Sequence, residues 1–259
     1  MIILKTASQV NQIIHNGQIL RQAAAAALAA ARPGCSTLQL DNIIEDVIRQ
    51  NAATPTFKGY KGFPAASCIS VNEVLVHGIP SSKKLKAGDV VSIDIGVTKN
   101  GCIADSCFTF SIADPDPLHR QLMRVAHDAT MLGISLCKSG VRIHDIAKAV
   151  FEFVEKDGLF TVAEGFFGHG TGIQLHEAPS ICFTYPCPKQ LPNPRLSTDM
   201  VITIEPVICF KSTQGKHITA KDGWTVSSVD GSYGAQFEHT ILIQSDTAQI
   251  LTGSFDITF

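Results

Sequence analysis

The chain has 259 residues, of which 45% are hydrophobic and 17% charged, and its formal net charge is −2. That length can bury a substantial core as one large domain or two small ones. Lysines and arginines are scattered rather than clustered, which excludes a phosphate-backbone surface and with it nucleic acid as the main partner.

The opening "MIILKTASQVNQIIHNG" has one basic residue and no uninterrupted apolar stretch, a poor match to a signal peptide. The run "AAAAALAAA" from Ala23 is short, weakly apolar and flanked by Arg21 and Arg32, which predicts a helix interior and not a membrane span. Eight scattered cysteines without a C-x-x-C pair argue against a zinc ribbon or a disulfide scaffold, and the expected location is cytoplasmic. A second, amphipathic helix follows in "PGCSTLQLDNIIEDVIRQN" from Pro33, with Leu40, Ile43, Ile44 and Val47 at the spacing of one apolar face. Strands are then expected in "LKAGDVVSIDI" from Leu85 and "GCIADSCFTF" from Gly101.

The same order returns further on. A helical stretch "LHRQLMRVAHDATMLGISLC" precedes "SGVRIHDIAKAVFEFVEKD" from Ser139, where Ile146, Ala149, Val150 and Phe153 correspond to the four apolar residues above. "LSTDMVITIEP" from Leu196 matches "LKAGDVVSIDI", and the strand "GAQFEHTILI" from Gly234 matches "GCIADSCFTF". The expectation is one domain, 1–259, built from two related halves of about 7–114 and 115–259.

Four acids occupy equivalent positions in this repeat: Asp94 with Glu205, and Asp105 with Glu238. Each lies among β-branched apolar residues that suit a buried strand, where an unpaired carboxylate is costly. If the halves pack about a pseudo-twofold axis, the four anions meet near the centre, and no lysine or arginine lies beside them in sequence. Two divalent cations with one imidazole would resolve the repulsion. Chance similarity between the halves, and a structural acceptor role for each acid, stand as alternatives at this point.

The imidazole comes from "GHGTGIQLHEAP", Gly168 to Pro179, with histidines seven residues apart. Gly170 and Gly172 argue against a helix, and in an extended segment odd spacing turns two side chains to opposite faces unless a bulge or bend intervenes. His169 is the expected ligand. Its counterpart in the first half is Ser70, which leaves His176, and His77 opposite it, to touch substrate.

The segments "YKGFPAASCISVNEVLVHGIP", "VVSIDIGV", "ADSCFTF", "GHGTGIQLHEAP", "VITIEPVI" and "WTVSSVDGSYGAQFEHT" run in order over nearly the whole chain, which closely resembles the type I methionine aminopeptidases. The resemblance implies the pita-bread fold: an α+β domain of two pseudo-twofold-related halves, with a curved, mainly antiparallel sheet covered by helices. It implies that Asp94, Asp105, His169, Glu205 and Glu238 ligate two divalent ions (Co, Mn, Fe or Zn), Asp105 and Glu238 bridging, with a metal-bridging hydroxide as nucleophile. Glu205 would shuttle the proton, and His77 and His176 would contact the scissile peptide. The implied substrates are nascent polypeptide amino termini bearing the initiator methionine before a small residue; the ribosome is a candidate partner, the chain is expected to be a monomer, and no membrane is expected to be involved.

The family's methionine pocket carries over onto Phe57, Tyr60, Phe63, Cys68, Leu175 and Trp224. Leu175 stands where phenylalanine is usual and Phe57 where many bacterial members have cysteine. Gln174 and Ala178 replace a common arginine and acid, Ala104 a frequent glycine and Gly234 a frequent serine. The zinc-binding amino-terminal extension of some relatives and the long insertion of type II enzymes are not expected. Two other readings remain: a proline-specific aminopeptidase of the same fold, and a non-catalytic scaffold, which would typically have lost metal ligands.

Overall fold

A computed structural model describes residues 2–255 and 257; Met1, Asp256, Thr258 and Phe259, at the ends of the expected domain, lie outside the described residues. Two helices open the chain. α1 (Ala7–Ala30) and α2 (Thr37–Gln50) each start at a capping box, Thr6 with Gln9 and Ser36 with Gln39, which satisfies first-turn N–H groups that have no partner within the helix. The strands β1 (Thr54–Pro55), β2 (Ser67–Val71), β3 (Val74–Val76), β4 (Val90–Lys99) and β5 (Cys102–Ser111) follow. A second helix pair comes next, α3 (Pro117–Leu136), capped by Asp116 with proline at its start, and α4 (Ile143–Glu155). The rest of the chain forms β6 (Phe160–Val162), β7 (Phe167–Gly170), β8 (Glu177–Cys182), β9 (Val201–Ile204), β10 (Val207–Phe210), β11 (His217–Thr219), β12 (Val226–Ser228), β13 (Gly234–Gln236), β14 (His239–Ile243) and β15 (Ala248–Ile250).

Every pairing between these strands is antiparallel, so the class is α+β. β4 is flanked by β2 and β5, and β15, β14, β9, β7 and β8 lie side by side in a second sheet. The β4–β5 hairpin turns at Asn100–Gly101, both with positive φ, the asparagine–glycine chemistry that two-residue hairpins favour. α1 packs on β4 and β5 and α2 on β1 and β2, while α3 and α4 cover strands of the second half. One large apolar core runs through both.

The helix faces differ slightly from the expected stripe. Leu40 and Ile44, and Ile146 and Val150, are buried, but Ile43, Val47, Ala149 and Phe153 are only half-buried. The stripe instead continues four residues on, to Ile48 and Val154. Asp41 also lies on the buried face of α2, where it accepts hydrogen bonds from Ser67 N (2.8 Å) and Ser67 Oγ (2.7 Å) and so ties the helix to the start of β2. Burial holds its carboxyl above the usual range even against these hydrogen bonds.

The strand expected in "GAQFEHTILI" is two strands. β13 pairs with β10 and β14 with β9, and Phe237 and Glu238 lie in the break. Here the chain leaves one sheet for another, and β5 holds the crossing: Glu238 N donates to Cys107 O (2.9 Å), and Ser106 and Thr109 hydroxyls donate to the Glu238 and Gln236 carbonyls. "VITIEPVI" is divided likewise into β9 and β10 at Glu205 and Pro206, where proline lacks the N–H that a ladder needs. Replacing Asp41 with alanine removes the acceptor for both Ser67 groups, and the expected loss is about 1–3 kcal/mol of unfolding free energy, read from urea denaturation. An unchanged midpoint contradicts this role.

Candidate active site

Asp94 and Asp105 reach one face of the β4–β5 hairpin through strand periodicity: Asp94 stands opposite Cys107 and Gly96 opposite Asp105, which makes the two acids diagonal neighbours. Glu238 approaches from the break beside β14, where Thr240 Oγ1 bonds both Asp105 N (3.1 Å) and Asp105 O (2.7 Å). Ligand atoms of Asp105, His169 and Glu238 all lie within 4.8 Å of one another. Glu205 joins them with Oε1 3.4 Å from His169 Nε2, and Asp105 Oδ2 is 3.8 Å from the same nitrogen. Asp94 lines the same cavity.

Among the described residues, His169 is the only ion-pair partner of these four carboxylates. It cannot neutralise them, because burial pushes its own pKa down to about 4. Burial raises Asp94 to about 7 and Glu205 to about 8, and it lifts Asp105 and Glu238 well above the carboxylate range, with mutual repulsion adding to the last two. Asp94 Oδ1 and Asp105 Oδ1 are buried without a hydrogen-bond partner. His169 Nδ1 donates to the Gly170 carbonyl (3.0 Å), so in the neutral ring Nε2 carries the lone pair and turns it toward the acids. Hard oxygen donors, one imidazole lone pair and orphaned buried oxygens fit a divalent cation.

The two histidines of the glycine-rich stretch come together through an irregularity. Pairing of β7 with β8 shifts register between His169 and Gly170, and Gly172 takes φ +121°, a value that side chains rarely adopt. The ring centroids of His169 and His176 are 4.3 Å apart. His176 Nδ1 bonds the Tyr60 hydroxyl (2.8 Å), and burial, followed by repulsion from His169, Lys61 and His77, lowers its pKa to about 4. His77 follows β3 with φ +57° and stands edge-on to Trp224, centroids 6.2 Å apart, and burial lowers its pKa as well.

All six residues expected to form the pocket meet in one small apolar cluster outside the main core: Phe57, Phe63, Cys68 and Leu175 buried, Tyr60 and Trp224 partly so. Phe63 meets the Trp224 ring edge at 5.2 Å. This cluster and the acids line one cavity of about 620 Å³. Sequence reading missed Ile103, Ala65 and Ile79, which also belong to the cluster, and Thr203 and Gln236. Thr203 Oγ1 donates to Glu205 Oε1 (2.6 Å) and receives His169 N (2.9 Å), and Gln236 Nε2 reaches Glu205 Oε2 (3.3 Å). Neither has a motif that could have exposed it, apart from lying two residues before a predicted acid.

A buried acid–imidazole cluster with the make-up of a cation site thus stands at the end of an apolar pocket. The chain belongs to metallopeptidase family M24, whose model it matches over residues 11–245. It is 40% identical over 252 residues to methionine aminopeptidase 1 of Bacillus subtilis, covering 97% of this chain and 99% of that one. With the methionine aminopeptidase of Clostridium perfringens the identity is 38% over the same length, again covering 97% and 99%. The crystal structure of methionine aminopeptidase from Thermotoga maritima superimposes with a TM-score of 0.92 at 34% identity, covering 98% of this chain and all of that one, so the fold is the pita-bread α+β fold. Prolidase from Pyrococcus furiosus shares that fold at 23% identity and a TM-score of 0.78, and the 97% of this chain that matches spans 66% of the prolidase chain.

A cation that binds only the folded cluster must stabilise it. Metal-stripped protein given Mn(II) or Co(II) at about 100 times the dissociation constant should gain about 2.7 kcal/mol, a rise in Tm of roughly 5–10 °C for a chain of this size. A Tm indifferent to both ions contradicts the assignment.

Proposed function

We propose that this protein hydrolytically removes methionine from the amino termini of newly made polypeptides, with a preference for a small second residue. The observation that carries the reading is the shared cavity: an apolar cluster of the size and softness that suit a thioether opens directly onto the carboxylate–imidazole cluster. Asp94, Asp105, His169, Glu205 and Glu238 would hold two divalent ions drawn from Co, Mn, Fe and Zn. When bound, such ions supply Lewis acidity for the scissile carbonyl and acidify water.

The chain's own groups do the rest. Glu205, its carboxylate held by Thr203 on Oε1 and by Gln236 on Oε2, takes the proton of the attacking water and returns it to the departing amine. With the Tyr60 hydroxyl donating to Nδ1, neutral His176 presents Nε2–H to the scissile peptide, and His77 faces the same cavity. Both remain neutral near pH 7 and add donors without adding charge. Phe57, Tyr60, Phe63, Cys68, Leu175 and Trp224 enclose the methionine side chain, the Phe63–Trp224 edge contact giving it an aromatic wall.

The proline-specific alternative rests on likeness to prolidases at an identity that supports the fold alone. The scaffold alternative predicts lost ligands, whereas all five positions are filled.

Two measurements test the proposal. Stripped protein resupplied with Mn(II) or Co(II) should release methionine from Met-Ala-Ser and not from Met-Leu-Ser; no methionine with any metal, or cleavage of a Xaa-Pro peptide instead, overturns it. His169→Ala and Glu205→Ala should abolish turnover, whereas His176→Ala should lower kcat by about 10²–10³ with metal affinity intact. Equal metal loss in all three variants contradicts the division between ligand and substrate histidines.

A further inference from the structure

The turn from Thr171 to His176 joins β7 to β8 and carries two groups of the proposed site, the pocket residue Leu175 and the substrate-facing His176. Besides backbone bonds from Thr171 N to Val201 O and from Ile103 N to Gly172 O, this turn is held by a buried ion pair far away in sequence. Glu177 Oε1 accepts from two consecutive backbone donors, Ile173 N (2.8 Å) and Gln174 N (2.9 Å), while Oε2 receives Lys5 Nζ at 2.6 Å. The side chains of Lys5 and Glu177 are 0% and 1% exposed.

Lys5 is itself fixed. Its ammonium also donates to Ile3 O (2.8 Å), its backbone N donates to Asp199 O (2.8 Å), and Ile2 bridges Ala178. Its stem lies against the turn so closely that a Cβ on Gly172 would come within 2.8 Å of Lys5 Cε. The amino-terminal segment therefore acts as a strut beneath the turn, and the carboxylate converts the position of that strut into the position of two backbone amides. A buried ion pair is a poor source of net stability compared with an apolar replacement, so a carboxylate that ties one turn to a distant ammonium points to placement rather than to folding energy.

We propose that Lys5 and Glu177 are positioning residues for the reaction, setting the 171–176 turn so that His176 and Leu175 meet the scissile bond and the methionine side chain. The proposal rests on the aminopeptidase reading above. Metal ligation is outside its reach, because His169 is oriented separately through Gly170 O and Thr203.

The test uses Lys5→Met, Glu177→Gln and the double variant, each loaded with Mn(II). Lys5→Met leaves Glu177 buried without its cation; amide exchange at Ile173 and Gln174 should accelerate at least about tenfold and kcat on Met-Ala-Ser should fall by about 10–100-fold, with the Mn(II) dissociation constant within about twofold of wild type. The double variant removes both charges and keeps an amide oxygen for the two N–H groups, so it should recover most of the loss in both readouts. If Lys5→Met does not fold, Glu177→Gln, which keeps the acceptor and the shape, should still lower kcat with metal affinity intact. Unchanged kcat in a folded single variant, a double variant no better than Lys5→Met, or parallel loss of metal binding overturns the proposal. Wild-type protein inactive on every peptide would sink the aminopeptidase reading instead, and exchange at Ile173 and Gln174 would still report whether the pair holds the turn.

Discussion

Four carboxylates share a buried space in which, among the described residues, the neutral His169 imidazole is their only ion-pair partner. An isolated buried anion costs several kcal/mol even after relaxation, and like charges nearby raise that further. The fold tolerates the cluster because strong scaffolding surrounds it: a long regular hairpin carries Asp94 and Asp105, and side-chain bonds from Ser106, Thr109 and Thr240 lock the crossing segment that carries Glu238. Without a metal the acids relieve this repulsion by holding protons, as their raised pKa values record, and a divalent cation would take the place of those protons, in keeping with the chain's membership of metallopeptidase family M24.

The two pairs of acids are delivered by different devices. Asp94 and Asp105 sit inside continuous strands, where the two-residue period alone assigns their face. Glu205 and Glu238 sit at breaks, where the chain passes from one sheet to another and the side chain is freed from alternation. Glu205, with the proposed proton-transfer role, is thus the acid whose surroundings are built from side chains: Thr203 on one oxygen and Gln236 on the other. The apolar side of the cavity is built in the same way, since the Tyr60 hydroxyl that borders it also bonds the His176 ring.

Much of this was legible because local rules and the global fold agree. The β-branched apolar neighbours of Asp94 and Asp105 marked them as buried strand acids, helix periodicity found Leu40, Ile44, Ile146 and Val150, and the glycines of "GHGTGIQLHEAP" argued against a helix and left room for the bend that brings two histidines together despite their odd spacing. The features that escaped depend on long-range contact. Asp41 looks like a polar interruption of a helix until Ser67 is brought to it, and the Lys5–Glu177 pair spans 172 residues of sequence. The split of "GAQFEHTILI" is invisible to periodicity, because its mix of apolar and polar residues reads as one strand whichever sheet its two ends join.

On this reading the cluster destabilises the metal-free protein, and a bound cation offsets that cost. The thermal midpoint of metal-stripped Glu238→Gln, with and without Mn(II), tests it most directly. Removing one buried acid should raise Tm above that of stripped wild-type protein and abolish most of the further rise on adding Mn(II). A stripped variant less stable than stripped wild type, with its response to Mn(II) intact, would mean that Glu238 is a structural acceptor and that the four acids do not form a cation site.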